Sequence, residues 1–124
     1  MEKELVHKHL LIKAEVKKPL QTEEEVITWM TSLINKINMN ILAGPYASKV
    51  SKKGNKGISG VSIIDTSHIG IHIWDEEQPA LVQLDVYSCK EFNKTDVLQC
   101  LDELEPIIVE YKYFDRETNF KELT

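Results

Sequence analysis

The middle of the chain carries side chains that could act as nucleophile, base and acid. They are Ser59, Ser67, His68, His72 and Cys89. Alternating apolar runs at residues 58–64 and 69–74 surround four of them, and each run has the two-residue period of a β-strand. Because such strands pair into one sheet, the sequence predicts that these groups share a sheet and could support nucleophilic and acid–base chemistry.

Each of these residues, taken alone, has a simpler interpretation. A serine between two strands is usually a turn former, and His72, between two isoleucines, would usually be a core residue with backbone hydrogen bonds. Cys89 alone would be a small buried apolar residue, and Glu76 alone would be a solvated hairpin tip. Their joint occurrence at fixed spacing favours a functional interpretation.

The same segment resembles the small prokaryotic S-adenosylmethionine decarboxylases, in which a serine converts itself into a bound pyruvoyl group. That family reads roughly G-V-S-G-V, then E-S-H-L-x-I-H-x-W-P-E, then D-x-F-T-C. The matching pieces here are GISGV, TSHIGIHIWDE and DVYSC, at residues 57–61, 66–76 and 85–89.

The resemblance implies a chain that cleaves itself. The Ser67 hydroxyl would attack the carbonyl of Thr66, giving residues 1–66 and a second chain that begins with the pyruvoyl group. Ser59 and His72 would assist this processing. The resulting cofactor, a covalent pyruvate derived from Ser67, would form a Schiff base with the substrate amine and take up electrons as CO2 leaves. No metal is implied.

The resemblance also implies roles at the substrate. Cys89 would return a proton to the product, and a thiol with a pKa near ~8.5 suits that step close to neutral pH. Glu76 matches a carboxylate that holds ribose hydroxyls, and Tyr46 falls near an aromatic residue that stacks on adenine. His68, beside Ser67, is a further substrate-binding candidate, with a structural role as its alternative.

Three departures from the family pattern leave the substrate open. Thr66 replaces a glutamate, Asp75 replaces a proline, and residues 48–56 lack the usual aromatic and histidine pattern. The first interpretation is an S-adenosylmethionine decarboxylase that makes the aminopropyl donor for spermidine. The second is a pyruvoyl decarboxylase of a basic amino acid, ornithine or arginine. The third is an uncleaved homologue that acts by binding or regulation.

Composition predicts one domain, residues 1–124, in the cytoplasm. No apolar run reaches the ~20 residues of a membrane helix, and the charged N-terminus lacks a signal-peptide core. The net charge of -5 gives no support to nucleic-acid binding. A basic cluster is best interpreted as a solvated loop: Lys49, Lys52, Lys53 and Lys56.

Neither the cysteines nor the N-terminal histidines indicate a metal site. Cys89 and Cys100 are eleven residues apart, and a reducing compartment would keep them as free thiols. His7 and His9 lack a recognisable metal-ligand spacing.

The element pattern predicts an α+β fold, a two-layer sandwich with both helices on one face of an antiparallel sheet. A capping box at Thr22 and Glu25 begins the first helix, which extends to about residue 38. A loosely held tail follows the last strand, and residues 44–57 are expected to form a loop. Strands are expected at 8–16, 39–43, 58–65, 68–74, 80–89 and 107–114, and a second helix from Asn93 or Thr95.

The second face of such a sheet would lack a cover, so we expect at least a homodimer. In the resembling family two copies pack sheet to sheet, which implies four αββα layers with sites between the copies. Strand alternation places His72 on the face opposite Ser67, unless the turn at residues 65–67 resets the alternation.

Overall fold

The protein, described by a computed structural model over residues 6–117 and 119–123, forms a seven-stranded sheet with two helices. All paired strands are antiparallel, in the order β2-β3-β4-β5-β1-β6-β7. The elements are β1 Lys8–Val16, α1 Glu23–Lys36, β2 Ile41–Val50, β3 Gly57–Ile64, β4 Ser67–Trp74, β5 Ala80–Ser88, α2 Lys94–Cys100, β6 Pro106–Asp115 and β7 Lys121–Leu123. The predicted α+β sandwich is therefore confirmed.

Helix α1 begins where the sequence predicts. The Thr22 hydroxyl accepts a hydrogen bond from the Glu25 N–H at 3.0 Å, and the Glu25 carboxylate accepts one from the Thr22 N–H at 3.1 Å. These two bonds satisfy donors that a helix start otherwise leaves free. The helix ends at Lys36, two residues before the predicted end, and Asn38 leaves it with a φ of 61°.

The core lies between α1 and one face of the sheet. Val26, Met30 and Leu33 are fully buried there, and each such side chain contributes about 1.5–3 kcal/mol when buried. A Cβ on Gly60 would lie 2.7 Å from Val26 and 2.8 Å from Met30. This close approach explains why the second glycine of the GISGV segment, Gly60, has no side chain.

Strand β2 corrects the sequence prediction. A strand was expected only over residues 39–43 and a loop over 44–57, but the strand runs from Ile41 to Val50 and the loop is residues 51–56. The register against β3 shifts between Ile41 and Ala43 and again between Ala43 and Tyr46, where Gly44 and Pro45 lie. An edge strand tolerates a proline because its outer side needs no hydrogen-bond donors.

The prediction of a loosely held tail was wrong for residues 121–123. They form β7, which pairs with β6 at Tyr113, Phe114 and Asp115. The second helix starts at Lys94, and the Asn93 side chain caps it by accepting the Thr95 N–H at 2.8 Å.

The other face of the sheet is open. Strands alternate so that Ile69, Ile71 and Ile73 of β4 are buried against the helices, whereas His68 and His72 are exposed. Val61 and Ile63 of β3 are 49% and 51% exposed on the same open face. Among the described residues no helix is long and apolar enough to cross a membrane.

Candidate active site

Ser67 occupies a strained position at the start of β4. It pairs with Ile64 on one side and Ser88 on the other, and it is half-buried. Its φ is +150°, a conformation that residues with a Cβ rarely adopt and that costs about 1–3 kcal/mol. Such strain persists only where the surrounding structure enforces it.

The turn before Ser67 is held by Asn40. The Asp65 carboxylate accepts hydrogen bonds from the Asn40 side-chain amide at 3.0 Å and from its backbone N–H at 3.4 Å. The Asp65 N–H in turn donates to the Asn40 carbonyl at 2.9 Å. The side-chain bond from Asn40 is the main cause that lowers the pKa of Asp65, so the carboxylate is ionised and anchors the turn.

The resemblance implies that the Ser67 hydroxyl attacks the carbonyl carbon of Thr66. The oxygen of this carbonyl accepts a hydrogen bond from the backbone N–H of Cys89 at 2.7 Å. The Thr66 hydroxyl lies 3.1 Å from the Ser88 hydroxyl and 3.1 Å from the Met39 sulfur. Val6 donates its N–H to the Cys89 carbonyl at 3.0 Å. The structure therefore brings Thr66, Ser67 and Cys89 together at one end of the sheet.

Ser59 and His72 form a second pair on the open face. They are register partners on β3 and β4, and Ser59 Oγ lies 2.8 Å from His72 Nδ1. The pair is five residues along β4 from Ser67, which is about 16 Å in a strand. Ser67 has the same alternation as the buried Ile69 and pairs with the buried Ile64 and Ser88, so β4 places it on the face opposite His72 and the turn does not reset the alternation. Within one chain, the structure does not bring this pair to Ser67.

Glu76 lies at the far end of the same sheet, and its surroundings were not foreseen. The Oε1 atom accepts the N–H groups of Gly54 and Lys56 at 2.6 and 3.2 Å. The loop of residues 51–56, interpreted as merely solvated, thus contacts a predicted binding residue. A cleft of about 600 Å³ opens beside it, lined by Lys13, Glu15, Gly54, Lys56, Trp74, Glu76, Glu77, Pro79, Leu81 and Gln83.

The structure does not bring Tyr46 to Glu76. Tyr46 pairs with Val61 on the open face and is 62% exposed. Val61, the partner of Tyr46, lies four residues along β3 from Gly57, and Gly57 pairs with Trp74 near Glu76. Tyr46 and Glu76 are therefore separated by at least about 13 Å along the strand direction.

A polar cluster beside Ser67 was missed by the sequence analysis. His68, predicted to bind substrate, lies on the open face with its ring centre 5.6 Å from that of Tyr87. The Arg116 guanidinium lies 4.3 Å from the Tyr87 ring centre and donates to His9 Nδ1 at 3.1 Å. Because Nδ1 accepts, Nε2 carries the proton of neutral His9 and donates it to Asp85.

The pKa of Asp85 reflects this cluster. Burial acts to raise it, but the hydrogen bond from His9, the electrostatic attraction of His9 and His68 and, last, the charge of Arg116 together outweigh burial and lower the pKa. Asp85 belongs to the DVYSC segment, so the sequence motif could have indicated it as a site residue. Its contact with His9 could not be predicted, because His9 is 76 residues away in the chain. Among the described residues no group of three or more His, Cys, Asp or Glu could hold a metal ion.

Comparison with protein families identifies the family of this chain. The model of the S-adenosylmethionine decarboxylase family matches residues 8–117. The chain belongs to this family. Two of its relatives are S-adenosylmethionine decarboxylase proenzymes, one from Picrophilus torridus and one from Archaeoglobus fulgidus.

The Picrophilus protein is 28% identical over 72% of this chain and 72% of its own length. The Archaeoglobus protein is 30% identical over 65% of this chain and 68% of its own length. The crystal structure of the Aquifex aeolicus adenosylmethionine decarboxylase superposes with a TM-score of 0.74 at 19% identity, over 98% of this chain and 99% of the other. The S-adenosylmethionine decarboxylase fold therefore extends over nearly the whole chain.

Proposed function

We propose that this protein is a self-processing S-adenosylmethionine decarboxylase whose pyruvoyl cofactor comes from Ser67. One observation carries the proposal: the Thr66 carbonyl accepts the Cys89 N–H at 2.7 Å immediately before the strained Ser67. A donor at that oxygen stabilises the negative charge that develops there when a hydroxyl attacks the carbonyl carbon. The residues around Ser67 thus fit the formation of the group.

The proposed cleavage needs no reactant other than this chain and one water molecule. The Ser67 oxygen bonds to the Thr66 carbon and the Ser67 nitrogen leaves it, so that the amide becomes an ester. Loss of the Ser67 α-proton then expels the Thr66 carboxylate, and hydrolysis of the remaining enamine releases ammonia and leaves a keto group. The products are residues 1–66 and 67–124, which retain the single domain.

The proton transfers in this cleavage require a base, and the pair that the resemblance assigns to them lies far from Ser67 within one copy. His72 and Ser59 are well placed for proton transfer to each other, but they are about 16 Å from Ser67 along β4. Two sheets that pack face to face are about 10 Å apart, so side chains of a second copy reach across the gap. We therefore assign Ser67 and Cys89 of one copy and Ser59 and His72 of its partner to each site.

The open face supports this homodimer. Leu11, Val61 and Ile63 are 40%, 49% and 51% exposed on it, and exposed apolar side chains grouped on one face favour association. Packing of the two open faces gives the four layers αββα. Each copy then completes the site of the other.

When formed, the pyruvoyl group supplies a carbonyl that binds the substrate amine and accepts electrons as CO2 leaves. The Cys89 thiol is half-buried beside this position and returns the proton to the substrate carbon. Glu76 binds the ribose hydroxyls through its carboxylate oxygens. The proposed product is the aminopropyl donor for spermidine.

A second candidate is the decarboxylation of a basic amino acid, ornithine or arginine. The lining of the Glu76 cleft favours it, because the three carboxylates of Glu15, Glu76 and Glu77 outnumber its two lysines, Lys13 and Lys56. Such carboxylates can bind an ammonium or guanidinium group. Trp74 is the only aromatic residue among the described residues that line it, so a second ring that would enclose adenine is not provided there by this chain.

Mass spectrometry of the denatured protein tests the proposal. We expect two polypeptides from the wild type and one from Ser67→Ala, whereas the control Ser51→Ala, in the exposed loop, should cleave normally. A wild-type chain that stays whole after long incubation would refute both decarboxylase candidates and favour an uncleaved binding protein. Decarboxylation assays on S-adenosylmethionine, ornithine and arginine separate the two enzymes.

A further inference from the structure

The loop of residues 51–56 binds two different side chains of the proposed site. Its backbone amides at Gly54 and Lys56 donate to Oε1 of Glu76. Between them, the Asn55 side-chain oxygen accepts the indole N–H of Trp74 at 2.9 Å. We call residues 54–56 and these three hydrogen bonds the Glu76 clamp.

The clamp continues into the Ser59 and His72 pair. The Trp74 ring stacks on the His72 ring, with centres 5.8 Å apart and planes 26° apart. His72 in turn bonds to Ser59 through Nδ1. A continuous series of contacts therefore leads from Asn55 through Trp74 to the histidine that is proposed to assist cleavage.

The clamp also separates the roles of the two Glu76 oxygens. Both amides donate to Oε1, and no hydrogen bond among the described residues uses Oε2, so Oε2 can accept a hydrogen bond from a ligand. An exposed glutamate otherwise samples many rotamers, and fixing it on binding costs free energy. A carboxylate that is already held by two amides avoids much of that cost.

We infer that residues 54–56 of this loop are a positioning element that fixes Glu76 for substrate binding and, through Asn55 and Trp74, orients His72 for processing. The inference rests on the proposed function and adds a role for Asn55. This residue touches no reacting atom and acts through Trp74. The loop therefore links substrate affinity and self-cleavage within one short segment.

Substitution of Asn55 tests the inference. Asn55→Ala removes the acceptor for the Trp74 indole, and we expect self-cleavage to slow about fivefold, the effect of one net hydrogen bond. KM for the preferred substrate should rise by roughly the same factor with kcat nearly unchanged, because Glu76 binds ground and transition states alike. Asn55→Asp keeps an acceptor oxygen and should restore both values.

Lys53→Ala provides the matched control, since Lys53 is exposed in the same loop. It should cleave and bind as the wild type does. The indole N–H signal of Trp74 in NMR spectra, assigned with Trp74→Phe, should shift in Asn55→Ala and remain in place in Lys53→Ala.

The possible results are distinguishable. A wild type that cleaves and decarboxylates, together with an Asn55→Ala variant that matches Lys53→Ala in both rates and KM, would overturn the clamp and leave the proposed function intact. Loss in Asn55→Ala that Asn55→Asp fails to restore would also overturn it, because a general loop defect would then be the cause. A wild type that never cleaves would instead refute the proposed function.

Discussion

A mixed dimer of two inactive variants offers the sharpest test of the shared site. Ser67→Ala removes the nucleophile, and His72→Ala removes a proton-transfer group whose contribution is typically 10²–10⁴-fold in rate, roughly. Within one chain the two residues are about 16 Å apart along β4, far beyond hydrogen-bond reach of about 3 Å. Ser67→Ala alone should therefore remain uncleaved, and His72→Ala alone should cleave about 10²–10⁴-fold more slowly than the wild type.

Co-expression of the two variants should restore one site in each mixed dimer. That site combines Ser67 from the His72→Ala copy with His72 from the Ser67→Ala copy, and the other site lacks both groups. Random pairing makes about half of the dimers mixed, so about a quarter of all chains should cleave, and all of them should be His72→Ala chains.

Tags of different mass on the two variants allow denaturing mass spectrometry to identify the cleaved chain. Native mass spectrometry of the same sample measures the fraction of mixed dimers. Mixed dimers that contain no cleaved chain would refute the assignment of His72 to the partner's site. Normal cleavage of His72→Ala alone would refute its role in processing.

Three further predictions follow from the same geometry. Cys89→Ala keeps the backbone N–H at the Thr66 carbonyl, so mass spectrometry should show normal cleavage while CO2 release falls at least about 100-fold; unchanged turnover would remove the thiol as the acid. Gly70 lies on the open face midway between Ser67 and His72, and a Cβ there would meet only the Gly60 carbonyl oxygen, at 3.9 Å. Gly70→Val should therefore fold normally by circular dichroism but dimerise and cleave poorly, and a stable, cleaving dimer in sedimentation experiments would argue against close approach at this point. The pKa of Asp85 is lowered, with burial opposing and the His9 hydrogen bond favouring the ionised form, so its stabilising effect is present above its unfolded pKa of about 3.9 and is lost as pH falls through the folded pKa. Urea unfolding should show Asp85→Asn to be less stable than wild type at pH 7, with the difference shrinking below about pH 4; a constant difference across pH would contradict this account.

The sequence predicts elements that local chemistry determines. Strand β1 was predicted at residues 8–16 because Leu10, Ile12, Ala14 and Val16 recur at every second position, and α1 begins at the capping box of Thr22. The β3 and β4 strands were found because two short apolar runs flank a tight turn. The cluster of Thr66, Ser67 and Cys89 follows from that hairpin together with the motif.

Features that depend on distant residues were not predictable. Strand β2 contains Gly44, Pro45 and several polar residues, and it is extended because β3 offers it an edge for pairing. The hydrogen bonds from Gly54 and Lys56 to Glu76 span 22 and 20 residues. No local pattern indicates which side chain a loop amide will contact.

The strand order has a consequence if the chain cleaves as proposed. Residues 1–66 supply β1, β2 and β3, the remaining residues supply β4 to β7, and β1 lies between β5 and β6. Because strands of the two future fragments are interleaved, severing the turn before Ser67 removes one covalent link and leaves every ladder of hydrogen bonds in place. The two pieces would remain paired through strands of both fragments, and neither could assemble this sheet by itself. Folding must therefore be complete before the chain is cut.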